Sequence, residues 1–154
     1  MPPITLRPTT PADIPVLFEQ QADPESNALA GTKPRTREAF VATWDKIFAD
    51  SLVTARVVLD GGEIVGAINC FQRDGRDYIG YWIDRRRWGR GIGSRALSLF
   101  LGELKTRPLY ASAATWNAAS IRILEGNGFR KTGTRKEPET ERYLAGEVAD
   151  FVLE

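Results

Sequence analysis

The stretch RRRWGRGIGSRAL, Arg85 to Leu97, places glycine at every second position, at Gly89, Gly91 and Gly93. It follows the apolar run YIGYWI (78–83) and leads into residues that suit a helix. Glycine allows left-handed backbone torsions and a close approach to the main chain. A strand that passes through glycines into a helix start is an anion site in outline. Unpaired N–H groups and the positive end of the helix converge where side chains are absent. Glycine-rich turns also serve as plain flexible connections, so neighbouring segments must decide the reading.

Two nucleotide fingerprints fail on the residues themselves. A Walker loop needs G-x-x-x-x-G-K-[ST], but Gly93 is followed by Ser94 and Arg95. A Rossmann turn needs G-x-G-x-x-G with an acidic residue after the next strand. Here the glycines are one residue too tight, and LYASAA (109–114) ends without an acid.

Outward from the loop, the chain alternates helices with strands. ITLR (4–7) predicts a strand, and Thr10 caps a helix with Pro11 at its first position and Ile14, Leu17 and Phe18 on its apolar face. Residues 21–34 read as a loop. Thr36 opens a helix with the stripe Phe40, Trp44, Ile47 and Phe48. TARVVL (54–59), DGG (60–62) and EIVGAINCF (63–71) predict a hairpin that RDGRD (73–77) extends into the strand 78–83. Leu97, Phe100, Leu101 and Leu104 keep helical spacing up to a stop at Pro108. LYASAA reads as a buried strand, Asn117 caps a short helix reaching about Glu125, and 129–134 with 147–153 predict a closing strand pair around a charged loop. Meander and crossover connections together predict a mixed sheet. The class is α+β, or α/β in looser usage, built as one domain over 1–154.

Composition narrows the chemistry. Lys and Arg number 21 against 20 Asp and Glu, a formal net charge of +1, which gives no global pull toward nucleic acid or anionic membrane. Histidine is absent, so His-dependent triads and His-bound metals are excluded, and the single cysteine, Cys70, offers no disulfide or thiolate metal set. No apolar run nears the roughly 20 residues of a membrane span. These features predict a cytoplasmic protein.

The segment YIGYWI-DRRR-WGRGIGSRAL resembles the pyrophosphate-binding motif [QR]-x-x-G-x-[GA] of the GNAT superfamily of N-acetyltransferases, with Trp88 in the usual Gln/Arg place. A second segment, TWNAASIRILEGNGF (115–129), is similar to the family's N-x-x-[AS]-x-x-[LI]-x-x-x-x-G-F motif at Asn117, Ser120, Ile123, Gly128 and Phe129. The two ends, ITLRP-TTPADIP and EVADFVLE, also look like the family's. The strand-WG-x-G-x-[GA] form is similar to the branch of ribosomal-protein-alanine N-acetyltransferases.

The resemblance implies a mostly antiparallel sheet with two splayed parallel strands, 78–83 and 109–114, flanked by about four helices. It implies acetyl-CoA as acyl-donor substrate and no metal. Main-chain groups of Trp82, Ile83 and Asp84 would pair with the pantetheine arm. Trp88, Gly89, Arg90, Gly91, Ile92, Gly93 and Ser94 would hold the pyrophosphate, and Asn117 and Ser120 would touch the cofactor. Ser120 is the candidate catalytic residue, on the thiolate side; a helix hydroxyl bonded to its own backbone is the other reading. The family's acid tyrosine falls at Leu124 and its base glutamate at Tyr78, while Asp77 faces the other way. Tyr81, Trp82 and Trp88 side chains read as packing.

The arginines Arg85, Arg86, Arg87, Arg90 and Arg95 read as a solvated face, from which one or two could reach the adenosine 3′-phosphate. The acceptor is expected to be an amine on a small molecule or a protein N-terminus, shaped by 20–33 and 134–146. Asp23, Glu25, Glu137, Glu139 and Glu141 there could attract a cationic acceptor, and surface solvation explains them equally well. The protein is expected to be a monomer or homodimer. A non-catalytic CoA-binding sensor or interaction module of the same fold is the competing class, and a nucleotide-binding protein the third.

Overall fold

The β-branched and alternating runs form β1 (Ile4–Pro8), β2 (Thr54–Asp60), β3 (Glu63–Arg73), β4 (Arg76–Ile83), β5 (Leu109–Ala114), β6 (Arg130–Glu137) and β7 (Gly146–Leu153). The computed structural model describes residues 3–154. One sheet holds all seven strands in the order β1-β2-β3-β4-β5-β7-β6. Every neighbouring pair is antiparallel except β4 and β5. The helices are α1 (Ile14–Gln21), α2 (Pro24–Ala30), α3 (Arg37–Ala49), α4 (Ile92–Glu103) and α5 (Ala118–Gly126).

The helix count is therefore five, one more than expected. The addition is α2, inside the segment read as a loop. Its signals are ordinary: Asp23 is the N-cap and accepts from the Ser26 amide, and Pro24 takes the first helical position. Two other boundaries move. Helix α4 ends at Glu103, well before Pro108, and β6 runs on to Glu137, which shortens the charged loop.

Each face of the sheet buries its own core. On one, Ile92, Ala96, Leu97 and Phe100 of α4 and Leu124 of α5 meet Ile68, Cys70, Ile79, Ala111 and Phe151. The other packs Ile14 and Leu17 of α1 and Phe40 and Trp44 of α3 on Val57 and Ala67. Cys70 lies in the first core, where burial pushes its thiol up to about 11, so it is inert packing.

A buried carboxylate ties β1 to α1. Residues Pro11–Asp13 form a 3₁₀ turn ahead of the helix, and the Thr10 amide donates to Asp13 Oδ2 at 2.8 Å. Arg7 donates to both Asp13 oxygens, at 2.8 and 2.9 Å, while the Asp13 side chain is 6% exposed. The Arg7 guanidinium and the Thr10 donors hold this carboxyl down at about 2. Folding lowers the pKa, so the stabilisation is complete above the unfolded value of about 4 and vanishes as pH falls through about 2. Asp13→Asn is expected to cost about 2 kcal/mol at neutral pH. Thermal melts should show wild type and variant converging between about pH 4 and 2.

Candidate active site

Strands β4 and β5 share one register pair, Tyr78↔Tyr110, although β4 continues to Ile83 and β5 to Ala114. Beyond that pair they part. Each is anchored on its outer side, β4 to β3 through Gly66↔Ile83 and β5 to β7 through Ala114↔Val148. Backbone groups alternate sides along an antiparallel ladder. The Asp84 amide donates to Val65 O at 2.8 Å, and the Trp82 carbonyl points at Gly66, where an added Cβ would sit 2.2 Å from it. Trp82 and Asp84 therefore direct main-chain groups toward β3, and it is Tyr81 and Ile83 whose groups enter the gap. Of the expected Trp82, Ile83 and Asp84, only Ile83 directs main-chain groups at the gap, and Tyr81 joins it.

On the α4–α5 side the gap opens into a cleft of about 440 Å³. Its lining includes Trp82, Ile83, Trp88, Gly89, Gly91, Ile92, Gly93, Ser94, Asn117 and Ser120. Asp84 and Arg90 are outside it. Asp84 is buried and engaged by Arg86 and by Val65, and Arg90 is exposed. The Trp88 indole donates to Ile83 O at 2.9 Å, closing the end of the strand.

The alternating glycines serve two different ends. Gly89 and Gly91 have φ of 80° and 74°, and a Cβ built on either meets nothing within 4 Å. The left-handed turn needs glycine, and the space above it is open. At Gly93 an added Cβ would lie 2.7 Å from Ile123 Cδ1, so this glycine lets α4 approach α5. Gly91 is the N-cap of α4, with no side-chain cap, and the first-turn amides face the cleft bare.

A phenol lines the same cleft. Tyr81 Oη lies 2.7 Å from Ser120 Oγ and donates to Ser120 O at 3.2 Å. Burial pushes Tyr81 up to about 12, the Ser120 bond pulling the other way, so it remains protonated at neutral pH. Asn117 Oδ1 accepts the Ser120 amide at 3.2 Å, fixing that serine at the start of α5. Leu124, in the place of the family's tyrosine, is buried core. The sequence gives Tyr81 only as a packing aromatic; its nearness to Ser120, 39 residues on, has no sequence signal.

On the opposite face a smaller cavity of about 200 Å³ adjoins the gap, lined by Phe71, Tyr78, Gly80, Ser112, Trp116 and Tyr143 among others. Its roof joins the two segments expected to shape the acceptor. Lys33 N donates to Arg142 O at 2.6 Å, Leu144 N to Gly31 O at 2.9 Å, and Thr32 bridges Tyr143. The Trp116 indole donates to Ala28 O at 3.1 Å and occupies the space beside Gly31 and Gly146. Burial, with repulsion from Arg35, pulls Arg142 down to about 10.

A family model for the acetyltransferase (GNAT) domain matches residues 4–130, most of the chain. The chain belongs to the GNAT family. A relative of this GNAT domain is an uncharacterized N-acetyltransferase, p20, of Bacillus licheniformis, 25% identical over 97% of this chain and 92% of its own. Among solved structures, the spermidine N-acetyltransferase of Vibrio cholerae, in complex with CoA and spermine, superposes with a TM-score of 0.84 at 16% identity, covering 97% of this chain and 94% of that one. An acetyltransferase of Salmonella typhimurium that modifies the N-terminal serine of ribosomal protein L7/L12 gives 0.80 at 18% identity, over 97% and 94%. These structural likenesses concern the fold.

The charges around the GNAT site are mostly engaged. Arg85 pairs with Asp23 at 2.7 Å and Glu25 at 3.4 Å, Arg86 with Asp84, and Arg87 with Asp60 and Glu63. Lys33 holds Glu139, and Arg135 holds Glu137. Four of the five acids expected to draw in a cation thus already have one; Glu141 is the exception. Among the described residues Arg90, Arg95 and Arg122 make no ion pair, and Arg122 lines the large cleft. Gly91→Val is expected to abolish the rise in melting temperature that CoA gives the wild type. Its melting temperature without CoA should fall only a few degrees, for a left-handed residue carrying a Cβ costs about 1–2 kcal/mol. Scanning fluorimetry with and without CoA measures both, and an undiminished CoA shift would remove the loop from the site.

Proposed function

We propose that this protein transfers the acetyl group of acetyl-CoA directly to the primary amine of a small molecule or a protein N-terminus, at the β4–β5 gap. The observation that carries this reading is the gap itself, with a cleft ending in the bare amides of α4 on one face and an amine-sized cavity on the other. The pyrophosphate fits those amides, with Arg122 beside it. The pantetheine arm fits the gap-facing backbone of Tyr81 and the Ile83 amide, as an added strand would, while the Ile83 carbonyl stays with the Trp88 indole. CoA in one solved neighbour of the same fold, with spermine, supports the assignment.

Direct transfer needs no nucleophilic side chain, so the lack of histidine is no obstacle. The amine nitrogen attacks the thioester carbon, the C–S bond breaks, and the leaving sulfur takes a proton. Tyr81, protonated and linked to Ser120, is the donor for that proton. The hydroxyl the family places on the helix after β5 is supplied here from the sheet. Positioning of the two substrates across the gap provides most of the remaining rate.

At about 200 Å³ the acceptor cavity is smaller than the 300–1,000 Å³ typical of sites for drug-sized ligands. It suits a small amine or the first residue of a chain. The test is CoA release from acetyl-CoA with spermidine, phenethylamine, kanamycin, and peptides beginning with Ser or Ala. Turnover with at least one supports the reading; CoA binding without any turnover replaces it with a non-catalytic module. With an active acceptor, Tyr81→Phe and Ser120→Ala should each lower kcat about 100-fold while CoA still raises the melting temperature. Full kcat in Tyr81→Phe would remove the phenol from the mechanism.

A further inference from the structure

Ser112 lies two residues beyond Tyr110, the point where β5 leaves β4. Its neighbours Ala111 and Ala113 belong to the α4–α5 core, so the Ser112 side chain is on the amine face. It is the first β5 side chain past the parting of the strands on that face. Across the gap, at the same distance beyond Tyr78, stands Gly80, which puts no side chain into the cavity and has the Phe71 ring packed 3.3 Å from where a Cβ would be. Gly80 and Ser112 both line the cavity that adjoins the gap.

The Ser112 hydroxyl is already oriented. Ser112 Oγ donates to Asp150 Oδ1 at 2.8 Å, and Asp150 Oδ2 accepts from Arg135 Nε at 2.9 Å. With its one hydrogen committed, Ser112 Oγ has only lone pairs to present to the cavity. That suits an amine N–H and not a carbonyl. Behind it, Asp150 borders an open basin of about 660 Å³ on the same face, and its side chain is 32% exposed, in reach of water.

We propose that Ser112 is the catalytic group that receives the acceptor amine's proton, with Asp150 as the positioning residue that takes the proton on. The proposal rests on the acyl-transfer reading above. The neutral amine donates one N–H to Ser112 Oγ. As the C–N bond forms, that proton passes to Ser112 Oγ, the serine's own proton passes to Asp150 Oδ1, and Asp150 releases it to basin water. On the other face the C–S bond breaks and the sulfur takes the Tyr81 proton, which returns from solvent. The carboxylate that Tyr78 does not provide is thus supplied from β7, one strand further across.

The experiment uses the best acceptor of the panel above and measures kcat, KM and the pH profile for Ser112→Ala, Ser112→Thr and Asp150→Asn, with CoA-induced stabilisation as the folding control. Ser112→Ala and Asp150→Asn should lower kcat about 100-fold without changing that stabilisation, and Ser112→Thr should restore most of the rate. The two slow variants should gain rate steadily at alkaline pH, where hydroxide replaces the relay, while the wild type levels off. Arg135 and Glu137 from β6, Arg73, Asp74 and Arg76 from the β3–β4 hairpin, and Arg130 and Glu154 also face this basin, and they are unchanged in all variants. Wild-type kcat in Ser112→Ala, or a slow variant whose pH profile merely parallels the wild type, overturns the proposal. If Asp150→Asn fails to fold, the Ser112 pair decides alone. Absence of wild-type turnover overturns the acyl-transfer reading and this one with it, whereas wild-type turnover with an unaffected Ser112→Ala overturns only this one.

Discussion

The sheet is continuous at Tyr78↔Tyr110 and open beyond it, and the functional architecture depends on that break. Buried main-chain groups without partners are costly, and a chain closes such gaps unless something holds them apart. Here each strand is committed elsewhere: β4 is paired along its length with β3, and β5 along its length with β7. Helix α4 packs on β1, β3 and β4, while α5 packs on β5 and β6. The two half-sheets therefore carry separate helices, and the contact of α4 with α5 at Gly93 and Ile123 helps set how far they stand apart. The main chain of Tyr81 and the amide of Ile83 are left facing the gap, while the Ile83 carbonyl is held by the Trp88 indole.

Chemistry on the two sides of the gap has the same form. On the α4–α5 face a strand phenol, Tyr81, meets a helix hydroxyl, Ser120. On the opposite face a strand hydroxyl, Ser112, meets a carboxylate, Asp150. Neither pair involves histidine, and both join residues far apart in sequence. The surrounding ions chiefly fix structure. Arg85 binds the first turn of α2 through Asp23 and Glu25, and Lys33 holds the roof through Glu139. Exposed pairs of this kind contribute little stability each, and their consequence is local order near the site.

Much of the fold was legible along the chain because it is written in local periodicity. The hairpin at 60–62, the stripe of α4 and the Asn117 cap each follow from spacing or from a single turn residue. The segment holding α2 was misread because proline and asparagine suggested a loop. Asp23 ahead of Pro24 was the cap signal that outweighed them. Which main-chain groups of β4 face the gap was not legible, because alternation can be assigned only when a strand's partner is known. The Asp84 amide on Val65 supplies that reference.

Residue order by itself determined the left-handed glycine turn ahead of α4, the succession of strands and helices, and the exclusion of histidine chemistry, because each depends on contacts within a few residues or on composition alone. Tertiary structure decided which glycine opens space and which closes a helix contact, which acids are already paired, and which hydroxyls meet. Those outcomes depend on distances between segments separated by tens of residues, such as Tyr81 with Ser120 and Ser112 with Asp150. Such distances arise only when the sheet assembles and its helices settle on it.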